Sequence, residues 1–242
     1  MITAAADDDP SGIATYSIAG ALAGTSLLWT ALFTWPLMAA VQMMCARIGL
    51  MTGRGLTEVL KRKFPKPFVI VITGALFVAN TINIGADLVA MADAIKEITG
   101  FNSDLFVIAL GAIIATATVQ FRYAQIVNAL KWLVLSLFAY VITAFITHPD
   151  WSAVLRHTLT PSLPHGSEAW GILVAILGTT ISPYLFFWQA AQEVEEKKAE
   201  GSELETRLHG CGQQQITNRK IDVAVGSFLS NAVMFFIILS CA

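Results

Sequence analysis

Charged side chains are scarce in this sequence. Asp, Glu, Lys and Arg make up 13% of its 242 residues, whereas a soluble domain usually carries about 25%. The formal net charge is only −2, so the chain offers no basic surface of the kind that binds nucleic acid. With 55% of the residues hydrophobic, this composition argues against a soluble domain and against a nucleic-acid partner.

Cysteine is rare as well. Cys45, Cys211 and Cys241 lie far apart and match no metal-binding or redox spacing. Cys45 and Cys241 fall in apolar stretches, where a small soft side chain is ordinary packing material. The sequence therefore predicts neither a cysteine metal site nor a redox centre.

What the sequence has instead is a series of long apolar stretches, and the mean hydropathy is +0.65. A membrane-spanning helix needs about 20 mostly apolar residues, and tilted helices tolerate a few fewer. The stretches predict an all-α integral membrane protein with about seven transmembrane segments. They cover residues 1–23, 27–48, 68–98, 105–121, 126–147, 168–192 and 222–242.

Basic residues are distributed unevenly among the predicted loops. All Lys and Arg except Lys96 and Arg156 fall in loops that would share one side of the membrane. The positive-inside rule places that side, and with it the N-terminus, in the cytoplasm. We therefore expect a multi-pass protein of the cell inner (plasma) membrane, in contact with the lipid bilayer and with a cytoplasmic loop at 193–220. No sequence feature indicates an oligomeric state.

Two of the segments contain predicted helix breaks. Segment one breaks at Asp9-Pro10-Ser11-Gly12, after a run of carboxylates, and segment six breaks near Pro183 within 178–184. Proline and glycine interrupt helices and free backbone carbonyls, and carboxylates in membrane segments are costly and usually functional. Five segments separate the starts of the two broken ones. This arrangement is typical of inverted-repeat transporters that bind substrate between two discontinuous helices.

The domain organisation follows from this pairing. Residues 1–242 form a single transmembrane domain, in which 1–147 is the first repeat and 168–242 is the start of the second. We expect a cation site between the breaks at Pro10 and Gly12 and at Pro183.

The motifs at these positions resemble those of the Nramp divalent-metal transporters. Residues 9–12 resemble their Asp-Pro-Gly-Asn, residues 46–56 resemble their loop after the second helix, and residues 179–184 occupy the place of their Ala-Thr-Val-Met-Pro-His. Gln42 falls where they carry a Gln. The similarity covers nearly the whole chain. It implies a LeuT-type bundle of about eleven helices, of which this chain supplies the first seven, so that we expect a truncated piece of a longer transporter.

The resemblance also implies a set of metal ligands, with two departures. Asp9 and the carbonyl of Thr179 are retained, whereas Gly12 replaces an Asn ligand and Ser182 replaces a Met ligand. Asp8 is expected to act through water. An all-oxygen site suits hard ions, and a wide carboxylate-lined pocket suits Mg²⁺, which keeps several waters. These departures match the Nramp-related magnesium transporters and predict Mg²⁺, with Mn²⁺ second, as transported substrate; no cofactor and no enzymatic activity are expected.

The third segment carries a polar face. Asn83 and Asp87 are one helical turn apart, and Asp87 falls at the place of an acid that Nramps use in proton movement. Ile84 stands where a second acid is expected, and Tyr184 replaces the family His. Neither replacement carries protons near neutral pH, so we predict uniport driven by the membrane potential. Interhelical hydrogen bonding is the alternative role for the polar face.

Three other interpretations stay open at this point. The first is a proton-coupled Mn²⁺/Fe²⁺ symporter of the ordinary Nramp kind, and the second is a truncated chain that does not transport. The third is an intramembrane protease that would use Asp9 with Asp87, and the sequence around them does not support it.

Overall fold

The computed structural model describes residues 9–120, 136–162, 167–199, 201 and 211–242. Within these residues the chain is helical and contains no β-strand. The helices, numbered in chain order, are α1 Pro10–Ala23, α2 Trp29–Thr52, α3 Leu56–Lys63, α4 Lys66–Thr99, α5 Ser103–Gln120, α6 Ser136–Ile146, α7 Trp151–Leu159, α8 Ser167–Thr180, α9 Pro183–Ala199 and α10 Gln213–Cys241. A short 3₁₀ turn, Gly24–Leu27, joins α1 to α2.

Five stretches of the described chain are long and apolar enough to cross a membrane. They are Trp29–Thr52, Lys66–Thr99, Ser103–Gln120, Glu168–Lys198 and Gln213–Cys241. Of the seven predicted segments, the first is represented by the 14 residues of α1 and the fifth by the short helix α6. The remainder of those two segments falls at 1–8 and 126–135, outside the described residues.

The helices extend into places where the sequence predicted loops. Helix α9 continues to Ala199 and α10 begins at Gln213, so the segment 193–220 is helical at both ends rather than a loop throughout. An ion-pair network joins these two helix ends: Arg219 Nε lies 2.9 Å from Glu193 Oε1, and Arg219 also pairs with Glu196. Glu193 is only 1% exposed, and Arg219 supplies the opposite charge beside it.

The buried core lies between α1, α2, α8 and α10. Its larger members are Tyr16, Leu27, Leu28, Ile176, Met234, Ile237 and Ile238. In contrast, α5 has no buried residue, and α4 is buried at only Val69 and Ala92. An apolar helix with so little protein around it presents its side chains to lipid or to other protein segments.

Two glycines set how closely the core helices approach. A Cβ added at Gly20 would overlap the carbonyl oxygen of Ile238 and lie 2.9 Å from Cβ of Cys241, so α1 touches α10 at its backbone. A Cβ at Gly49 would lie 2.7 Å from the carbonyl oxygen of Ala190, which gives the same contact between α2 and α9. Small residues permit such backbone contacts between membrane helices.

We therefore expect Gly20→Ala to destabilise the chain by about 1–3 kcal/mol, because the methyl group forces α1 away from α10. Thermal unfolding of the purified chain in one detergent measures this. Gly85→Ala is the matched control: no atom lies within 4 Å of a Cβ at that position, and alanine favours a helix over glycine by about 1 kcal/mol. A Gly20→Ala variant that melts at or above the temperature of Gly85→Ala would contradict the close contact.

Candidate metal site at the two helix breaks

Asp9 defines the start of α1. Its backbone is extended, with φ −74° and ψ 163°, and its Oδ1 accepts hydrogen bonds from the Gly12 amide at 2.6 Å and from the Ser11 hydroxyl at 2.9 Å. Pro10 occupies the first helical position, where its missing N–H costs nothing. Asp-Pro-Ser-Gly thus acts as an N-cap sequence, and α1 begins at Pro10; the residues before Asp9, where the sequence predicts the other part of the broken segment, lie outside the described residues.

The second break separates α8 from α9 at Ile181 and Ser182. Ser182 Oγ donates to the carbonyl oxygens of Thr179 at 2.6 Å and Gly178 at 2.9 Å. Pro183 begins the next helix. The carbonyl of Thr179, predicted as a metal ligand, is therefore occupied by a serine hydroxyl in this conformation.

The second oxygen of Asp9 joins the two breaks to α4. Asp9 Oδ2 accepts from Tyr184 Oη at 2.8 Å and from Asn83 Nδ2 at 3.2 Å. Tyr184 stands at the start of α9 and Asn83 in the middle of α4. Three predicted site residues from three elements thus meet at one carboxylate.

Asp87 lies one turn further along α4 and belongs to the same cluster. Its Oδ1 accepts from the Ser11 amide at 2.9 Å, and its Oδ2 accepts from Asn83 Nδ2 at 3.3 Å. The Ser11 hydroxyl also lies 3.2 Å from Asn83 Oδ1. No role is predicted for Ser11 from the sequence. The signal that could have indicated one is its position in the first motif, two residues after Asp9, with a hydroxyl group.

The cluster carries two carboxylates and no cation. In the part of the chain that the structure describes, no Lys, Arg or His pairs with Asp9 or Asp87, and their partners are hydroxyl, amide and phenol groups. Neutral donors orient carboxylates but leave their charge in place, and uncompensated charge within a membrane segment is costly. A bound cation would remove that cost. The described residues form no group of three or more His, Cys, Asp and Glu side chains that are placed to hold a metal ion.

A cavity of about 420 Å³ opens beside these groups. Its polar lining comes from Asn80 and Asn83 of α4 and from Ser182 and Tyr184 at the second break, and the remaining walls are apolar. The oxygen donors around it are hard ligands. The arrangement therefore suits a cation that enters with some of its water.

Gly12 lies between the two helix breaks. A Cβ at this position would lie 3.0 Å from Asp9 Oδ1 and 3.4 Å from Thr179 Oγ1. A larger side chain here would stand between the two breaks, so glycine leaves this space open next to the carboxylate.

One described site residue, Gln42, lies apart from this cluster. Gln42 is fully buried in α2, where its Oε1 accepts from Ser227 of α10 at 3.3 Å. Its Nε2 has no partner in the structure. Asp8 lies outside the described residues.

Tyr16 and Thr180 connect the broken helices on the core side. Tyr16 Oη lies 3.0 Å from Thr180 Oγ1, and each residue is 1% exposed. This hydrogen bond links α1 to the end of α8 directly behind the second break.

The sequence of this chain matches a known protein family. The family described as "Natural resistance-associated macrophage protein-like" (Nramp) matches residues 1–242. The chain is 30% identical over 254 residues to the divalent metal cation transporter MntH of Caldanaerobacter subterraneus subsp. tengcongensis, covering 98% of this chain and 56% of that protein. It is 28% identical over 242 residues to the protein of the same name from Yersinia pestis, covering 96% and 55%.

A solved structure has the same fold. The crystal structure of the Eremococcus coleocola manganese transporter, in complex with an aromatic bis-isothiourea substituted compound, superposes with a TM-score of 0.72 at 16% identity. The match covers 99% of this chain and 49% of that one. It confirms the predicted all-α, LeuT-type architecture, and the chain spans about half the length of the relatives it matches.

The Tyr16–Thr180 hydrogen bond is open to a double-mutant test. We expect Tyr16→Phe and Thr180→Val each to lower the free energy of unfolding by about 0.5–1.5 kcal/mol, since each removes the hydrogen bond between the two buried hydroxyls. The double variant should lose less than the sum of the two, with a coupling of about 1 kcal/mol. Unfolding in a denaturing detergent measures all four proteins, and strictly additive losses would contradict the contact.

Proposed function

The chain belongs to the Nramp family, and from that membership we propose that it moves divalent metal cations across a membrane through the site at the two helix breaks. We propose Mg²⁺ as the preferred ion and Mn²⁺ as the second. The observation that carries the proposal is the pair of carboxylates, Asp9 and Asp87, held by neutral donors beside an open cavity.

The charge of the cluster supports a divalent ion. Two carboxylates bridged by Asn83 match a charge of +2, and both are hydrogen-bonded to Asn83, which lines the cavity. A monovalent cation would leave one negative charge uncompensated in a membrane segment, where such charges are costly. Asp9 offers the nearer oxygens to the second break, so it is the residue expected to contact the ion.

The ligand chemistry supports Mg²⁺ over softer metals. The groups that line the cavity offer oxygen and amide donors, and Ser182 stands where the family resemblance places a methionine. Thioether sulfur favours transition metals, whereas oxygen suits hard ions. Because Mg²⁺ dehydrates reluctantly, the open cavity and Gly12, which adds no side chain, favour an ion that keeps part of its hydration shell.

The surroundings of the acids support transport without proton coupling. The donors to Asp9 and Asp87 are Ser11, Gly12, Asn83 and Tyr184. None of these groups exchanges protons near neutral pH. At Ile84 the side chain is 60% exposed and carries no acid. The driving force would then be the membrane potential, worth about 4.6 kcal/mol per 100 mV for two charges.

A second candidate is proton-coupled Mn²⁺ or Fe²⁺ symport. The names of the relatives, divalent metal cation transporter and manganese transporter, favour Mn²⁺ as the ion. The described chain also spans about half of those proteins, so a third possibility is a chain that binds the ion at this site without moving it.

Ser182→Met tests the choice of ion. The substitution adds a thioether and releases the Thr179 carbonyl from its hydrogen bond, so we expect the ratio of Mn²⁺ to Mg²⁺ uptake into proteoliposomes to rise on the order of tenfold, as one added ligand contact of about 1.4 kcal/mol gives. Cd²⁺ should gain likewise.

Two variants serve as controls for that measurement. Ser182→Ala frees the carbonyl without adding sulfur, and Thr81→Met adds sulfur on an exposed face of α4; neither should change the ratio as Ser182→Met does. Asp9→Asn should abolish uptake of both ions. An unchanged ratio in Ser182→Met would count against the magnesium site.

Proton coupling is tested separately, with a pH-sensitive dye inside the proteoliposomes. We expect Mg²⁺ uptake to follow an imposed inside-negative potential while the lumen pH stays constant. Protein-free liposomes and a proton ionophore control for leaks. Acidification of the lumen in proportion to uptake would instead establish the symport candidate.

A further inference from the structure

A second cavity lies away from the metal site, between α3 and the first turns of α4. Its volume is about 760 Å³. The lining residues of α4 include Lys66, Ile70, Gly74 and Phe77, which recur every three or four residues and therefore share one helical face. They extend along the helix for about 16 Å. The cavity is a groove that begins where the short helix meets the spanning helix and continues towards the membrane interior.

The mouth of this groove is positively charged. Lys61 of α3 and Lys66 of α4 both line it, and neither forms an ion pair with any described residue. Glu58, the acid of α3, is already engaged by Arg54 at 2.7 Å and by Arg62 at 3.5 Å. Two unpaired ammonium groups at one rim attract a negatively charged group.

The walls below the mouth are apolar and open. Ile70 is 70% exposed and Phe77 is 72% exposed. At Gly74 an added Cβ would meet no atom within 4 Å. A glycine within a helix is unfavourable by about 1 kcal/mol relative to alanine, and here it widens the groove at mid-length.

Thr73 adds a polar group inside the groove. Its Oγ1 is buried and has no hydrogen-bond partner in the structure. In contrast, Thr81 and Thr99 of the same helix donate to carbonyl oxygens one turn earlier, each at 2.8 Å. A buried hydroxyl without a partner is costly, and Thr73 lies in the wall of the groove two turns below Lys66.

We propose that this groove binds an anionic phospholipid. The phosphate contacts Lys61 and Lys66, and one acyl chain lies over Ile70, Gly74 and Phe77. The anionic headgroup meets the two lysines, and the acyl chain meets the apolar wall below them. The predicted orientation places this end of α4 in the cytoplasmic leaflet, where anionic lipids attract basic groups beside membrane helices.

Charge argues against a second copy of the chain as the occupant. A symmetric contact through this groove would bring two further lysines to the rim, and like charges placed together oppose association. Free phosphate is a poorer occupant as well, because it would leave the apolar walls uncovered.

Thermal unfolding of the purified chain in detergent, with added phosphatidylglycerol, phosphatidylcholine or inorganic phosphate, tests the proposal. We expect phosphatidylglycerol to raise the melting temperature more than phosphatidylcholine does, and phosphate alone to have no effect. In K61A/K66A the apparent lipid affinity should fall on the order of 30-fold, from about 1 kcal/mol for each lysine. The control K96A/K220A removes the same charge from exposed sites elsewhere and should keep the response.

A second variant separates the acyl groove from the charged mouth. Gly74→Leu fills the groove and improves helix propensity, so it should fold and yet retain less phosphatidylglycerol by native mass spectrometry. Equal responses to the two lipids, or an unchanged response in both K61A/K66A and Gly74→Leu, would overturn the proposal. Dimerisation that Gly74→Leu abolishes, without lipid binding, would overturn it as well.

Discussion

The carboxylate of Asp9 is the interaction on which the site depends. One oxygen caps α1 through Gly12 and Ser11, and the other receives Tyr184 from the second break and Asn83 from α4. A carboxylate has about four acceptor positions, and here all four are used. One side chain therefore fixes the start of α1 and contacts both α9 and α4. The same residue is the one proposed to contact the ion.

Much of this cluster is visible in the sequence because its determinants are local. Proline and a capping acid mark the start of α1 within four residues, and Pro183 with small neighbours marks the second break. The spacing of Asn83 and Asp87 places them on one face of α4. The all-α architecture follows from the long apolar stretches. Such signals need no knowledge of which helices touch.

What the sequence does not show depends on contacts between distant segments. Ser11 reaches Asp87 across 76 positions, and nothing near Ser11 indicates that pairing. Gln42 is suggested by its position in a motif but packs against Ser227. Glu193 and Arg219 are predicted as loop charges because a single charge is costly in an apolar setting, and their pairing across 26 positions is not visible from either residue's neighbours in the sequence.

Helix α1 is attached to both halves of the broken segment: Tyr16 holds α8 through Thr180, and Asp9 holds α9 through Tyr184. The two attachments are seven positions apart, about 10 Å along the helix axis. Helix α1 therefore bridges the break at Ile181 and Ser182 and holds α8 and α9 in one relative orientation. α9 can tilt relative to α8 only if one of these two contacts breaks. The contact at Asp9 is the less buried of the two. A cation that binds the oxygens of Asp9 would thus displace the Tyr184 hydroxyl and release α9 from α1.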